Sequence, residues 1–487
     1  MNILIIDVGT SGMKGILMDS RGEKLVYACR KYCVTFMQDG RVEQNPLDWK
    51  NAMLKILKEV VSKAQEIKVS VDAISLTSQR SSVIAVDRNV NPLSNAIMWQ
   101  DKRTKDICSE LEIENDIIFK RCGAKVNPVF SGTKMTWIKE NCKDIYDKTY
   151  KFIVVPDYLI YILTGRLCTD YTYGSRSLLM NLDTCKWDKD QLRMLRVDEE
   201  KLIELVKPGS ICGGITKKVS DETGLKEGIP VITAGGDQQC GAIGQGVVKN
   251  GRLSVTAGTG GFLLTATDKI PEGLKPDVIC NVHSVNDSYI LESNIITCCS
   301  ALDWFKKEFY ENASYEEMNK DAEKSLVGAN GCICVPYFQG RTTPDWNNDA
   351  KGIFANITLG TRKRDMLRSL LEAIAFEIGN GISVMNAYET ISEINVNGGL
   401  TNSRIFNEIQ CNVYGRRILK RGDSDSTARG AYMVAAVTLG LYDTVEDALK
   451  KLDEKSEIKE YIPDENTVRQ YEACKQKMNE IYKDVYR

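Results

Sequence analysis

Twice in this chain an apolar run meets a Gly-Thr pair, and a second apolar run follows at once. The first instance is Ile3-Leu-Ile-Ile-Asp7-Val-Gly9-Thr10-Ser11-Gly12-Met-Lys14-Gly15-Ile-Leu-Met-Asp19. The second is Leu253-Ser-Val-Thr-Ala-Gly258-Thr259-Gly260-Gly261-Phe262-Leu-Leu, half a chain further on. Each reads as strand, tight turn, strand. Matching turns at matching places in the two halves predict two similarly built domains. With 487 residues the chain is long enough for both.

The first turn has chemistry of its own. Two glycines and two short hydroxyl residues leave backbone N–H groups able to face an anion. Lys14 can add a charge-assisted contact to phosphate. Asp7 ends the first strand at the same mouth and suits a hydrated magnesium, which keeps most of its waters. The same residues equally suit an ordinary Gly- and Ser-rich hairpin. The phosphate-binding pattern GxxxxGK[ST] does not occur in the chain. A cleft between two domains with such turns would grip a polyphosphate from both sides.

A third stretch is Thr233-Ala-Gly-Gly-Asp237-Gln-Gln-Cys-Gly-Ala-Ile-Gly-Gln-Gly246. The apolar run Ile229 to Thr233 enters it as a buried strand, and two glycines stop that strand. Asp237 follows with Gln238 and Gln239 beside it, then small residues that suit a tightly packed helix start. A carboxylate at the end of a buried strand, beside backbone that a ligand can approach, suits a general base. Capping of the next helix is the other reading of the same Asp.

Composition excludes several classes. The formal net charge of -2 gives no reason to expect nucleic acid or an anionic membrane as partner. Nothing near Met1 resembles a signal peptide, and no apolar run reaches the length of a membrane span, so a cytoplasmic protein is expected. The sixteen cysteines include no paired CxxC arrangement and there is one histidine, His283, which argues against structural zinc. They read as reduced, mostly buried thiols. A Ser-His-Asp triad would have to use His283.

Elsewhere the signals are mostly structural. A third strand is expected through Lys24 to Phe36, and Pro46 opens a helix with Leu54, Leu57 and Val61 on one face. Strands Ala73–Thr77 and Val83–Val86 flank Ser78-Gln79-Arg80-Ser81-Ser82. Arg80 there can face a substrate or simply be a solvated turn arginine. Trp99, beside Gln100, Asp101 and Arg103, suits a polyol, with an apolar face for carbons and polar groups for hydroxyls; a core tryptophan at a strand end has the same pattern. Ser131–Asn141 reads as a helix, Val154–Gly165 as a strand end and a short buried helix, and Pro208–Gly214 as a loop. Pro336 to Trp346 reads as a long aromatic loop. Leu367, Leu370, Leu371, Ile374 and Ile378 mark one apolar helix face. Ile394–Asn397 is a strand entering the Gly398-Gly399 turn, where a ring or phosphate can lie on backbone. Ser424-Asp425 begins another helix of small residues, and Thr444–Asp447 resembles a capping box. The tail, with Tyr471, Cys474, Met478, Ile481 and Val485, reads as an amphipathic helix docked on the body or lying at a dimer contact.

Taken in order, these motifs resemble the FGGY carbohydrate kinases over nearly the whole chain. Asp7–Lys14 resembles that family's first phosphate loop, and Lys134-Met-Thr-Trp137-Ile-Lys-Glu140-Asn141 its first signature. Gly236-Asp237-Gln238-Gln239 resembles the catalytic-base segment and Gly258-Thr259-Gly260 the second phosphate loop. Gly352-Ile-Phe-Ala-Asn-Ile with Asp365–Glu372 resembles the second signature, and Gly398-Gly399 the adenosine-binding turn. Val129 and Asn356 depart from the signature patterns. The resemblance implies an α/β chain of two ribonuclease H-like, actin-like domains, 1–245 and 246–487, with ATP and sugar in the cleft. It implies Asp237 as general base and Asp7 as the residue organising magnesium on ATP. It implies Thr10, Ser11, Gly12, Lys14, Gly258 and Thr259 on the phosphates, with Asp303, Gly399 and Ser403 in the rest of the ATP site. A homodimer is within the family's tendency.

For the acceptor, the resemblance implies Arg80, Ser81, Trp99, Asp237, Gln238 and Phe262. Two positions that are Glu and Tyr in glycerol kinases are Ser81 and Val129 here, smaller and with less polar reach. The xylulokinase pattern carries a histidine where this chain has Arg80, and His283 is far from that slot in sequence. The expectation is a pocket for a four- to six-carbon ketose or polyol such as xylulose, with glycerol as the alternative. Two other classes are a sugar or nucleotide sensor without catalysis and an actin- or chaperone-like ATPase without an acceptor. Retention of Asp7, Lys14, Asp237 and Thr259 argues against the first. The Arg80, Trp99 and Phe262 set argues against the second.

Overall fold

Ile3-Leu-Ile-Ile6 is shielded from solvent on both faces, so an unbroken apolar run, not an alternating one, forms a central strand. It belongs to a chain whose computed structural model describes residues 1–285, 287–341, 347, 349–422 and 425–486. Two compact units are formed. The first comprises Met1–Gly244, Cys280–Ile290 and Asp425–Lys455, and the second Gln245–Ile279, Leu291–Ser424 and Ser456–Arg487.

The first unit is built on a six-stranded sheet. Its order is Ile211–Gly214, Pro230–Gly236, Ala73–Ser78, Ile3–Val8, Gly12–Met18, Lys24–Lys31. The three middle strands, Pro230–Gly236, Ala73–Ser78 and Ile3–Val8, run parallel, and the flanking strands run antiparallel to their neighbours. The helix Pro46–Glu66 covers it, with Trp49, Met53, Ile56, Leu57 and Val60 buried. Asn45 caps that helix and Pro46 occupies its first turn, where a missing N–H costs nothing.

The second unit repeats the plan. Arg252–Ala257 and Gly261–Thr267 form a hairpin. Arg252–Ala257 pairs in parallel with Glu393–Asn397, which pairs in parallel with Ile418–Arg421, and Ile458–Tyr461 closes that edge antiparallel. Hairpin, two parallel neighbours and an antiparallel edge recur in the same order in both units. The long helix Lys363–Asn386 buries the expected Leu367, Leu370, Leu371, Ile374 and Ile378.

Three local expectations differ from the structure. Ile211–Gly214, read as loop, is an edge strand paired with Pro230–Gly236; its register shifts between Ile211 and Gly213, and Gly213 and Gly214 then pair with Val231 and Pro230. The strand from Lys24 ends at Lys31, and only Thr35–Phe36 resumes pairing, on a different sheet. The tail helix Glu465–Tyr486 buries Tyr471, Met478 and Tyr482 rather than Val485, which is exposed. From Met478 the buried stripe steps to Tyr482 rather than to Ile481, which is half-buried. Of the aromatic loop, Pro344 and Trp346 lie outside the described residues, as does Ser424 of the small-residue helix.

Candidate active site

The three parallel strands of the first unit end together. Val8 pairs with Ser78, and Ser78 with Gly236. Asp7, Arg80 and Asp237 therefore stand at or just beyond the carboxyl ends of these strands. Ligands of open α/β sheets bind outside the carboxyl ends of the strands.

Asp237 is aimed by a β-bulge. The register of Pro230–Gly236 against Ala73–Ser78 shifts between Thr233 and Gly235. Gly235 has a φ of +104°, and a Cβ there would lie 2.1 Å from the Ser284 hydroxyl, so the bulge requires glycine. Thr77 Oγ1 and the Tyr173 hydroxyl both donate to the Gly235 carbonyl, at 2.8 and 2.9 Å. Gly236 N donates to Thr172 Oγ1 at 2.9 Å. Beneath them, Asp170 accepts from the hydroxyls of Thr172 and Thr233; burial pushes its carboxyl above the usual range.

Asp237 opens the helix Asp237–Gly244. Its Oδ1 accepts from Gln238 N at 2.8 Å and lies 3.8 Å from Arg80 Nε. The Asp237 side chain keeps 27% of its surface against 8% for Arg80, so the carboxylate is the more open of the two. Arg80 lies against Gly236, where a Cβ would come within 2.8 Å of its Cδ. Its Nη1 reaches Gln239 Oε1 at 3.5 Å, and Gln239 Nε2 donates to the Val282 carbonyl at 3.3 Å. The segment carrying His283 thus returns to the first unit beside this cluster; distance along the sequence did not measure distance in space.

The hairpin turn joins the same cluster. Trp99 Nε1 donates to Thr10 Oγ1 at 3.1 Å, and Thr10 Oγ1 donates to Gln79 Oε1 at 3.4 Å. Gly9 N donates to the Gly12 carbonyl at 2.9 Å, closing the turn, and Ser11 is exposed at its tip. Asp7 and Lys14 are register partners. Lys14 Nζ lies 2.8 Å from Asp425 Oδ1, and Lys24 Nζ 3.0 Å from Asp425 Oδ2. Burial, then the charge of Asp237, pushes the Asp7 carboxyl up to about 7; Lys14 pulls it down and Asp425 pushes it up. Ser81 departs from this pattern: it sits at a φ of +69°, buried, with its hydroxyl 3.4 Å from the Arg176 carbonyl.

The second unit has its own cluster. Cys299 N donates to the Gly258 carbonyl at 2.8 Å, and Cys298 N to the Thr259 carbonyl at 3.0 Å. A Cβ on Gly399 would meet Cys299 Sγ at 3.3 Å, and Gly398 has a φ of +97° against Ala257, so this turn lies beside the Gly-Thr turn. Asp303, on the helix Cys299–Phe309, accepts from the Tyr315 hydroxyl at 2.5 Å. Ser403 caps the helix Arg404–Tyr414 and donates to Asn319 Oδ1 at 2.9 Å. Phe262 is half-buried on the strand after the turn.

Within the first unit the structure brings together Asp7, Thr10, Gly12, Lys14, Arg80, Trp99, Asp237 and Gln238. Within the second it gathers Gly258, Thr259, Gly399 and Asp303 about Cys299. Sequence reasoning missed Asp170, Thr172 and Tyr173, and gave Asp425 no role. Asp170 caps Thr172 N locally, but no local pattern marks its reach to the Thr233 hydroxyl 63 positions on.

The family models decide the affiliation. The model for the N-terminal domain of the FGGY family of carbohydrate kinases matches residues 2–244, and that for its C-terminal domain residues 253–439. The chain belongs to the FGGY family of carbohydrate kinases. It is a phosphotransferase with an alcohol group as acceptor, of the xylulose kinase or glycerol kinase kind. A xylulose kinase of Bacillus subtilis is 27% identical over 99% of this chain and 96% of its own length. A glycerol kinase of Thermococcus onnurineus is 30% identical over 96% of this chain and 95% of its own. The solved structure of ligand-bound xylulose kinase from Lactobacillus acidophilus matches with a TM-score of 0.92 at 23% identity, covering 99% of this chain and 98% of that one; this FGGY chain therefore has the same mixed α/β two-domain fold. Among the described residues no helix is long and apolar enough to cross a membrane.

Proposed function

We propose that this FGGY kinase transfers the γ-phosphoryl group of ATP to a hydroxyl of a four- to six-carbon ketose or polyol such as xylulose, with Asp237 as general base. The observation that carries the reading is Asp237 itself: a bulge-aimed, partly open carboxylate beside Arg80, electrostatically coupled to Asp7. Asp237 takes the proton of the attacking hydroxyl as that oxygen bonds to the γ-phosphorus and ADP leaves. Phosphoryl transfer depends on in-line positioning and charge neutralisation more than on covalent catalysis, so a chain with one histidine can perform it.

The remaining roles follow from the local chemistry. Thr10, Ser11, Gly12 and Lys14 offer turn N–H groups, hydroxyls and an ammonium to phosphate oxygens. Gly258 and Thr259 offer a second such turn. Gly399 and Ser403 suit the adenosine, with Asp303 nearby on its helix. Asp7 fits a hydrated magnesium, because a carboxylate raised by burial and then by neighbouring carboxylates gains most from a nearby cation. Bound there, magnesium would neutralise charge on the polyphosphate. Arg80 and Gln238 suit acceptor hydroxyls, and Trp99 and Phe262 offer ring faces to its carbons.

The acceptor size rests on Ser81 and Val129. The Ser81 hydroxyl is turned to the Arg176 carbonyl, and Val129 has no polar side-chain atom. A three-carbon polyol relies on well-paired hydroxyls, which these residues do not supply. A coupled ADP-release assay with magnesium and ATP, run over glycerol, tetroses, ketopentoses, ketohexoses and sugar acids, tests the reading. A four- to six-carbon ketose or polyol should lead. Glycerol as clear leader would instead favour the glycerol kinase alternative, and intact ATP binding without turnover the sensor.

A further inference from the structure

We propose that Asp425 is a positioning residue for the nucleotide: it holds the Lys14 ammonium ready for the polyphosphate and thereby sets the affinity for ATP. The proposal rests on the phosphate role given to Lys14 above.

Both carboxylate oxygens of Asp425 are engaged, Oδ1 by Lys14 at 2.8 Å and Oδ2 by Lys24 at 3.0 Å. An ammonium has three donors, so a Lys14 held by Asp425 still has hydrogens for phosphate oxygens. The Lys14 side chain is 41% exposed and that of Asp425 19%. A lysine stem so open is flexible, and fixing it before the ligand arrives lowers the ordering cost of binding.

The place of Asp425 in the fold supports this use. It precedes the helix Ser426–Thr438 at the N-cap, where an Asp side chain ordinarily accepts a helix N–H. Here it makes no such cap bond; the carboxylate is directed to the two lysines instead. That helix packs on Asp237–Gly244 backbone to backbone. A Cβ on Gly244 would lie 1.9 Å from the Ser426 carbonyl oxygen, and one on Gly430 1.8 Å from that of Cys240. The helix that starts at Asp237 and the helix preceded by Asp425 therefore meet with no room for a side chain between them at these two positions. The general base and the anchor of Lys14 share a single rigid support, which suits a reaction that needs donor and acceptor in line.

The test is steady-state kinetics of full-length Asp425→Ala, Asp425→Asn and Lys24→Met with MgATP and the acceptor identified by the panel. Asp425→Ala should raise the KM for MgATP about tenfold, the scale of one charge-assisted hydrogen bond, with acceptor KM changed by less than about twofold. Asp425→Asn, whose amide oxygen can still accept from Lys14, should fall between Ala and wild type. Lys24→Met should shift the MgATP KM in the same direction by less. Because Asn is nearly isosteric, it carries the test if the Ala variant does not fold. An unchanged MgATP KM in folded variants overturns the proposal. So does an equal rise in both KM values, which marks loosening of the helix pair. If wild type transfers phosphate to no acceptor, the kinase reading itself fails, and the proposal with it.

Discussion

Asp237 carries its carboxylate on a backbone that cannot readily shift. Gly235 is held by Thr77 and Tyr173, and Gly236 by Thr172. Substitution at Asp237 should therefore remove chemistry without removing the site. Asp237→Asn is expected to lower kcat by about two to four powers of ten, the usual range for a general base, with ATP binding retained by calorimetry. Near-normal turnover of the purified variant would defeat the assignment. Lys134 is a second residue with a sharp consequence. It is wholly buried, and its ammonium donates to the carbonyls of Pro128, Val129 and Phe130 at 2.7, 2.9 and 3.3 Å. Burial pushes its pKa from the ordinary 10.5 down to about 7, against the pull of Asp101. Between those values the unfolded chain binds a proton that the folded lysine lacks, so this group makes stability rise with pH. Below about pH 7 both states hold the proton and the contribution is flat. Lys134→Met removes the effect. The difference in Tm, wild type minus variant, should increase from about pH 7 to about pH 9; a constant difference would mean that Lys134 stays charged in the fold.

At the scale of elements, the packing of Asp237–Gly244 against Ser426–Thr438 is the contact with least tolerance. Gly430→Ala would place a Cβ 1.8 Å from the Cys240 carbonyl oxygen, and backbone cannot swing aside as a side chain can. Overpacking of this sort costs about 1–3 kcal/mol. The variant should melt several degrees lower and lose kcat, because the helix that carries Asp237 is pushed from its seat; an unchanged Tm would show that the helices separate freely. Both helices were legible as small-residue stretches, but their partnership was not, since no local pattern links residues so far apart. The same holds for Lys14 and Asp425, 411 positions apart. Signals that act within one element read well. Pro46 sits in the first turn of its helix, and Gly165 ends another at a φ of +78°. The apolar stripe from Leu367 to Ile378 is buried as spaced. Asp170 carries a local capping signal towards Thr172, but its hold on the Thr233 hydroxyl in a distant strand left no such trace. Ile211–Gly214 was hidden for the opposite reason: its glycines mimic a loop, while its pairing partner lies in a later strand.

The whole molecule adds a constraint that neither residues nor elements reveal. The first unit is completed by late segments of the chain, Cys280–Ile290 and Asp425–Lys455. Ser426–Thr438 buries Ala428, Ala431, Tyr432, Met433 and Ala435. Ser75 Oγ donates to the Ala431 carbonyl at 2.8 Å, and the Tyr432 hydroxyl to that of Asp19 at 3.0 Å. A fragment of residues 1–244 would expose the apolar face of Asp237–Gly244 to water and leave the buried Ser75 hydroxyl without that partner. Loss of so much buried area should prevent cooperative folding. The fragment alone is expected to aggregate or to melt without a sharp transition, while the same fragment joined by a flexible linker to residues 425–455 should recover one. If residues 1–244 unfold cooperatively by themselves, at a Tm equal to that of the linked form, the late helix is an accessory rather than part of the first unit's core. The expected result would also mean that the first unit cannot finish folding until nearly the whole chain has been made.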